Sequence, residues 1–175
     1  MSTLPPNFNV ISQPIGLENQ EYLNKLFYDK TVTPYTTSYA NFYALMPSNN
    51  ASPIAVGGDV AFPQNGASSA SDITRTAATQ FTLGPIGTYQ VYFTVPIDIS
   101  GQLVLTLNNV ELPSTVVGRL AVSSPISTQV IINTTVANSV LTVRNPAGSL
   151  NALPVSLSAG GVNPASAQLV ITRLR

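Results

Sequence analysis

Asp59, Asp72, Asp98 and Glu111 are the only acids between residues 42 and 175, and Arg75, Arg119, Arg144, Arg173 and Arg175 the only bases there. General acid–base work by a carboxylate pair needs two of them close together in a dry site, and the spacing of these four supports no such pair. A calcium site draws about six to eight oxygens, several of them from acids in one loop; no Asp-rich loop occurs. The acids therefore read as single surface carboxylates, or as partners for Arg75, Arg119, Arg144 and Arg173. The chain contains no His, Cys or Trp. That removes Ser-His-Asp and Cys-His nucleophiles, thiolate and imidazole metal sites, and disulfides. Gly84-Pro85-Ile86-Gly87 and Gly57-Gly58 lack the spacing and the lysine of a phosphate loop and read as turns. No metal or cofactor is expected, and an enzyme is the weakest of the function classes.

Two further motifs have plain readings. Asn50-Ala51-Ser52 and Asn133-Thr134-Thr135 match the N-glycosylation acceptor pattern, which arises often by chance in a chain so rich in Asn, Ser and Thr. Tyr35, Tyr39 and Tyr43 recur every four residues, but Pro34 and the β-branched neighbours oppose a helix; the rings read as packing a linker onto the domain that follows.

Charge narrows the partners. Seven basic and seven acidic residues among 175 give zero net charge and an 8% charged fraction, against about 25% for ordinary soluble domains. Neither nucleic acid nor an anionic membrane has an electrostatic footprint to bind. No stretch approaches the roughly 18 unbroken apolar residues of a membrane span. The opening Met1-Ser2-Thr3-Leu4-Pro5-Pro6-Asn7 has no basic region and no apolar run of a secretory signal, so the expectation is a protein made without a signal peptide.

The elements that hold these residues are β-strands. Eighteen Val, 11 Ile and 18 Thr supply side chains stiff at χ1 and suited to a pleated surface. From Phe42 onward the hydrophobic period is two: Tyr89, Val91, Phe93 and Val95 alternate with Thr88, Gln90, Tyr92 and Thr94, and Leu103, Leu105 and Leu107 form a second such series. Further runs cover 114–122, 127–134, 139–143, 153–157 and 166–174. Asn108-Asn109 between two strands can adopt the positive φ of a two-residue hairpin, and Pro96, Pro146-Ala147-Gly148 and Gly160-Gly161 mark corners. Short strands at this spacing predict an all-β sandwich or jelly roll. Val104, Ile131 and Val170 make their strands apolar on both faces, which leaves two explanations: cover by the chain's own loops, or a subunit interface.

Residues 1–41 differ. They hold both lysines and one glycine. Leu17 to Lys30 carries the chain's helical pattern, with Tyr22, Leu23, Leu26 and Phe27 on one stripe; a helix of about 12 residues needs a partner surface. Residues 31–41 read as an extended linker. Residues 1–16 are held extended by Pro5-Pro6 and Pro14 and contain Leu4, Phe8, Val10, Ile11 and Ile15. Such a segment is either a frayed tail or a docking arm that adds a strand to, or fills a groove in, another subunit. The expected organisation is thus an N-terminal connector at 1–16, a short helix and linker at 17–41, and a β domain at 42–175.

Within that β domain, Phe42-Tyr43-Ala44-Leu45-Met46-Pro47, Gly58-Asp59-Val60-Ala61-Phe62-Pro63-Gln64, Ile73-Thr74-Arg75-Thr76, Ile86-Gly87-Thr88-Tyr89-Gln90-Val91, Ser139-Val140-Leu141-Thr142-Val143-Arg144-Asn145-Pro146 and Leu169-Val170-Ile171-Thr172-Arg173-Leu174 resemble the C-terminal domain of the collagen-like exosporium glycoproteins of spore-forming bacilli. More distantly they resemble the C1q/TNF-like jelly roll. The resemblance implies a ten-stranded protomer that trimerises about an apolar axis on the spore surface. No Gly-X-Y repeat precedes the domain, and residues 1–41 do not resemble the leader of those glycoproteins. The arrangement is instead similar to subunits of endospore appendages, in which a trimer receives connectors from its neighbour.

The function expected is a self-assembling appendage subunit: homotrimers stacked head to tail through Leu4, Phe8, Val10, Ile11 and Ile15. A collagen-like tip protein and a spore-surface anchor are the further partners the resemblance implies. The alternatives are a trimeric head that binds a carbohydrate or protein, and a viral fibre or capsid jelly roll.

Overall fold

The computed structural model describes residues 37–69, 71–120, 124–155 and 161–175. The arm residues Leu4, Phe8, Val10, Ile11 and Ile15, the helical pattern at 17–30 and Tyr35 lie outside the described residues. Among the described residues there are eleven strands: β1 (Tyr39–Leu45), β2 (Gln64–Ser68), β3 (Ile73–Ala77), β4 (Gln80–Leu83), β5 (Thr88–Val95), β6 (Gly101–Leu107), β7 (Val110–Glu111), β8 (Val117–Arg119), β9 (Ile126–Asn133), β10 (Ser139–Arg144) and β11 (Ser166–Arg173). They build two antiparallel sheets. One runs β2-β1-β11-β5-β9; the other runs β3-β4-β10-β6-β7, with β8 also paired to β6.

The two-residue period decides what lies between the sheets. Successive strand side chains face opposite ways, so β5 buries Tyr89, Val91, Phe93 and Val95 and turns Thr88, Gln90, Tyr92 and Thr94 outward. Ala40, Phe42 and Ala44 of β1 and Ala167, Leu169 and Ile171 of β11 point the same way. Opposite them lie Phe81, Leu83, Leu103, Leu105, Leu141 and Val143. Phe81 is the aromatic centre, with its ring centroid 4.7 Å from Phe42 and 6.0 Å from Phe62. Asn108 and Asn109 do turn the β6–β7 hairpin, at φ 50° and 68°. Both central residues of such a turn need positive φ, which Asn tolerates better than other side chains.

Several sequence expectations need correction. β1 begins at Tyr39, so residues 39–41, expected in the linker, are already in the sheet. The run 114–122 is not one strand: Pro113 starts a single 3-10 turn, and among the described residues of the run it is Val117–Arg119 that pairs, because proline supplies no N–H for a ladder. Of the strand expected at 153–157, Leu153 and Val155 make isolated bridges to Ile54 and Ile97, and residues 156 and 157 lie outside the described residues. The strands β2 and β3 escaped the periodicity because their sequences, QNGAS and ITRTA, are mostly exposed edge residues. Val104 is fully buried within the single chain, so its strand is two-faced through cover by the chain itself.

The domain has two distinct poles. At the first, loops 84–87 and 134–138 interlock through Thr134 N–H to Gly87 O and Asn138 N–H to Gly84 O, while Arg173 N–H reaches Ser38 O and Thr88 N–H reaches Arg175 O. The chain therefore enters β1 at this pole. At the second, Ile54 pairs with Leu153 and Ile97 with Val155, and the buried Asn145 amide donates to Ile54 O and Asn151 O, both at 3.0 Å. The eight residues of β5 separate the poles by about 26 Å.

Candidate functional site

The charged groups are structural wherever the described residues show a partner. Arg144 Nε donates to Asp59 Oδ1 at 2.7 Å and Nη2 to Oδ2 at 3.2 Å. Thr142 Oγ1 donates to the same Oδ1 at 2.8 Å, and Arg144 Nη2 to Asn109 Oδ1 at 2.7 Å. The hydrogen bond to Asp59 holds the Arg144 pKa above its ordinary value, against the opposing effect of burial. Asp72 accepts from Ser38 Oγ at 2.8 Å and lies 3.5 Å from Arg173 Nη1. Glu111 Oε1 accepts from Ala147 N–H. Of the arginines expected to pair with acids, Arg144 and Arg173 do so. Arg75 donates to Asn65 Oδ1, and Arg119 Nη2 to Ile99 O. Among the described residues no three acids gather as a metal cluster would require.

The two glycosylation-type sequences separate on geometry. Asn50 is a clamp: its Nδ2 donates to Ala61 O and its Oδ1 accepts from Ala61 N–H, both at 2.9 Å. Asn133 is exposed and accepts from Thr88 Oγ1. Of the tyrosines, Tyr39 and Tyr43 sit on β1 and face outward; Tyr35 and the rest of the linker they were expected to pack lie outside the described residues.

What the fold does assemble is an uncharged outward face. Cross-strand register places Asn41, Val170, Tyr92 and Gln129 in one row, and Tyr39, Thr172, Gln90 and Ile131 in the next. Tyr43, Gln168, Thr94 and Ser127 form a third. None of these positions carries charge. Ile131 is 65% exposed, and Tyr39 and Tyr92 are exposed as well. Val170 and Ile131, whose strands were expected to be apolar on both faces, thus remain outward. An apolar surface free of charge can be covered without desolvating ions.

A second feature lies at the pole away from Thr37. A cleft of about 650 Å³ is lined by Gly101, Gln102, Arg119, Leu120, Gly148, Leu150 and neighbours. Leu120 is 95% exposed and Leu150 94%. Burial pulls the Arg119 pKa below its ordinary value, opposed by Asp98, and Arg119 Nε has no acceptor among the described residues. The sequence reading missed this cleft. Its one local signal was Leu150, a large apolar residue set among turn-forming Gly148, Ser149 and Asn151.

No protein-family profile matches the sequence, and no curated protein sequence matches it. Solved structures do. The fold is similar to murine APRIL in crystal structures at pH 8.0 (TM-score 0.57, 13% identity), pH 5.0 (0.54, 13%) and pH 8.5 (0.54, 14%). Each match covers 79% of this chain and 99% of that one. At such identity the likeness speaks for fold alone: the chain is a TNF-like jelly-roll sandwich, as its sequence led us to expect.

Proposed function

We propose that this protein is the repeating structural subunit of a spore-surface appendage. The outward face of the β2-β1-β11-β5-β9 sheet associates with two further copies to form a homotrimer. Residues 1–16 join each trimer to the next, head to tail. The carrying observation is that outward face, with three tyrosines, Val170 and Ile131 on a surface without charge. Covering it removes apolar area from water, worth about 25 cal/mol per Å² before association costs. A stack of identical contacts along a three-fold axis leaves both ends open, so it grows as a filament, and three arms per junction act together. The spore surface enters through the resemblance of residues 42–175 to exosporium domains, as do a collagen-like tip protein and an anchor.

Light scattering and negative-stain microscopy on the full chain test this reading. Tyr92→Lys with Val170→Lys should yield folded monomers. Deleting residues 2–15 should leave trimers and abolish filaments. A wild-type protein that stays monomeric at tens of micromolar, or a deletion with filaments of unchanged length, overturns it.

A further inference from the structure

The head-to-tail reading leaves open what surface accepts the arm, and the cleft at the second pole has the chemistry to do so. Three of its wall residues are Gly101, Gly118 and Gly148; Leu153 packs over Gly101 and Gln102 over Gly118, whereas Gly148 faces open space, where a missing side chain lets another backbone approach. Its rim carries Leu120 and Leu150, both almost fully exposed. Arg119 also lines the cleft, and its Nε lacks an acceptor among the described residues. Beside it runs β8, paired on one side to β6 and with no strand on its other side among the described residues. Such a cleft suits an extended, apolar, uncharged peptide, which brings side chains for the leucines and a carbonyl at every residue for the arginine and the free strand edge.

We propose that this cleft receives residues 1–16 of a second copy of the chain, an inference that rests on the head-to-tail reading above. Residues 1–16 carry no charge and hold Leu4, Phe8, Val10, Ile11 and Ile15. Residues 7–13 are free of proline, so each has an N–H for the β8 edge, whereas Pro6 and Pro14 end any pairing on either side. The chain enters β1 at the first pole, tied by Ser38 to Arg173 and Asp72, so donor and acceptor lie at opposite ends of the domain. Identical contacts of that kind repeat as an open line. With residues 17–30 as the expected helix, about 21 Å long, and 31–36 extended over about 20 Å, the connector spans up to about 41 Å, more than the roughly 26 Å between the poles. A neighbour's cleft is thus within reach.

The chain has no cysteine, so an engineered pair reports this contact alone. Full-length Phe8→Cys/Leu150→Cys protein is assembled, oxidised and run on a non-reducing denaturing gel. A ladder of monomer multiples that collapses under reductant is the expected result. A fast-migrating internally linked monomer would overturn the proposal, because the arm would then occupy its own cleft. Absence of cross-links in preparations that contain filaments would overturn it too, leaving the head-to-tail reading in place. In parallel, Leu120→Asp/Leu150→Asp should keep its trimers and its thermal midpoint within about 2 °C, since both side chains are exposed, yet lose filaments. Unchanged filament length in that variant counts against the cleft, whereas filament loss only on deletion of residues 2–15 places the arm elsewhere.

Discussion

Arg144 and Asp59 meet at two points across 85 positions of sequence, Nε to Oδ1 and Nη2 to Oδ2. The pair joins the loop before β2 to the end of β10 on the outward face of the six-stranded sheet, and Thr142 and Asn109 complete it. With side-chain exposures of 13% and 18%, it is partly screened by solvent. Asp59→Asn should therefore destabilise by roughly 2–3 kcal/mol, short of the ~3–5 kcal/mol typical of breaking a fully buried pair. Urea denaturation checks this, and Asp59→Leu/Arg144→Met should recover part of the loss.

Tyr89 sets an alkaline limit. Burial pushes its phenol pKa above the ordinary 10.0, with Arg173 opposing and Asp72 reinforcing the shift. The neutral phenol is the form favoured by the fold, so this contribution is complete below pH 10.0 and declines as pH rises from there through the folded value. Tyr89→Phe should flatten that decline. At pH 7 it should cost about 1 kcal/mol, through loss of the 2.6 Å hydrogen bond from the phenol to Pro85 O. Urea midpoints at pH 7 and across the alkaline range measure both effects.

Phe81 is buried between Phe42 and Phe62. Phe81→Ala should destabilise by about 3–5 kcal/mol, lost transfer energy and a residual cavity acting together. Phe81→Leu should cost less than half of that. Thermal unfolding of both variants gives the comparison.

Asn138 holds φ 57° in the turn before β10. Asn138→Ala should cost about 1 kcal/mol, because a Cβ there crowds the following carbonyl, while Asn138→Gly should lie close to wild type. Equal losses in both would point to a side-chain role.

Self-association through the uncharged outward face should tolerate salt. Oligomer mass by light scattering should be unchanged between about 50 mM and 1 M NaCl, since screening acts on charge pairs. Dissociation by 1 M NaCl alone would show that ion pairs hold the copies together.

How far the sequence could be read depended on the range of the forces involved. Thr88–Val95 and Ser166–Arg173 were legible because alternation is a local property that burial enforces at every second residue. The Asn108-Asn109 turn was legible for a similar reason, as a backbone preference carried by two side chains. The edges were not: QNGAS at β2 has no apolar pattern, and its pairing comes from β1. The run at 114–122 misled because Pro113 interrupts the ladder while its neighbours stay β-branched. Leu120 and Leu150 are thirty positions apart, and although Leu150 stands out among turn residues, nothing local joins the two in a shared cleft.

The amino-acid sequence by itself determined the chemical character of this protein. It is β-rich because of its branched side chains, poor in charge, and without imidazoles or thiols. Tertiary structure decided which faces met. It buried Val104 and left Ile131 in solvent, paired Asp59 with Arg144, and opened a glycine-walled cleft at the pole opposite the chain's first strand residues. The physical reason is that a period of two tells a residue which side of its strand it occupies, whereas the neighbour on that side is chosen by long-range strand pairing.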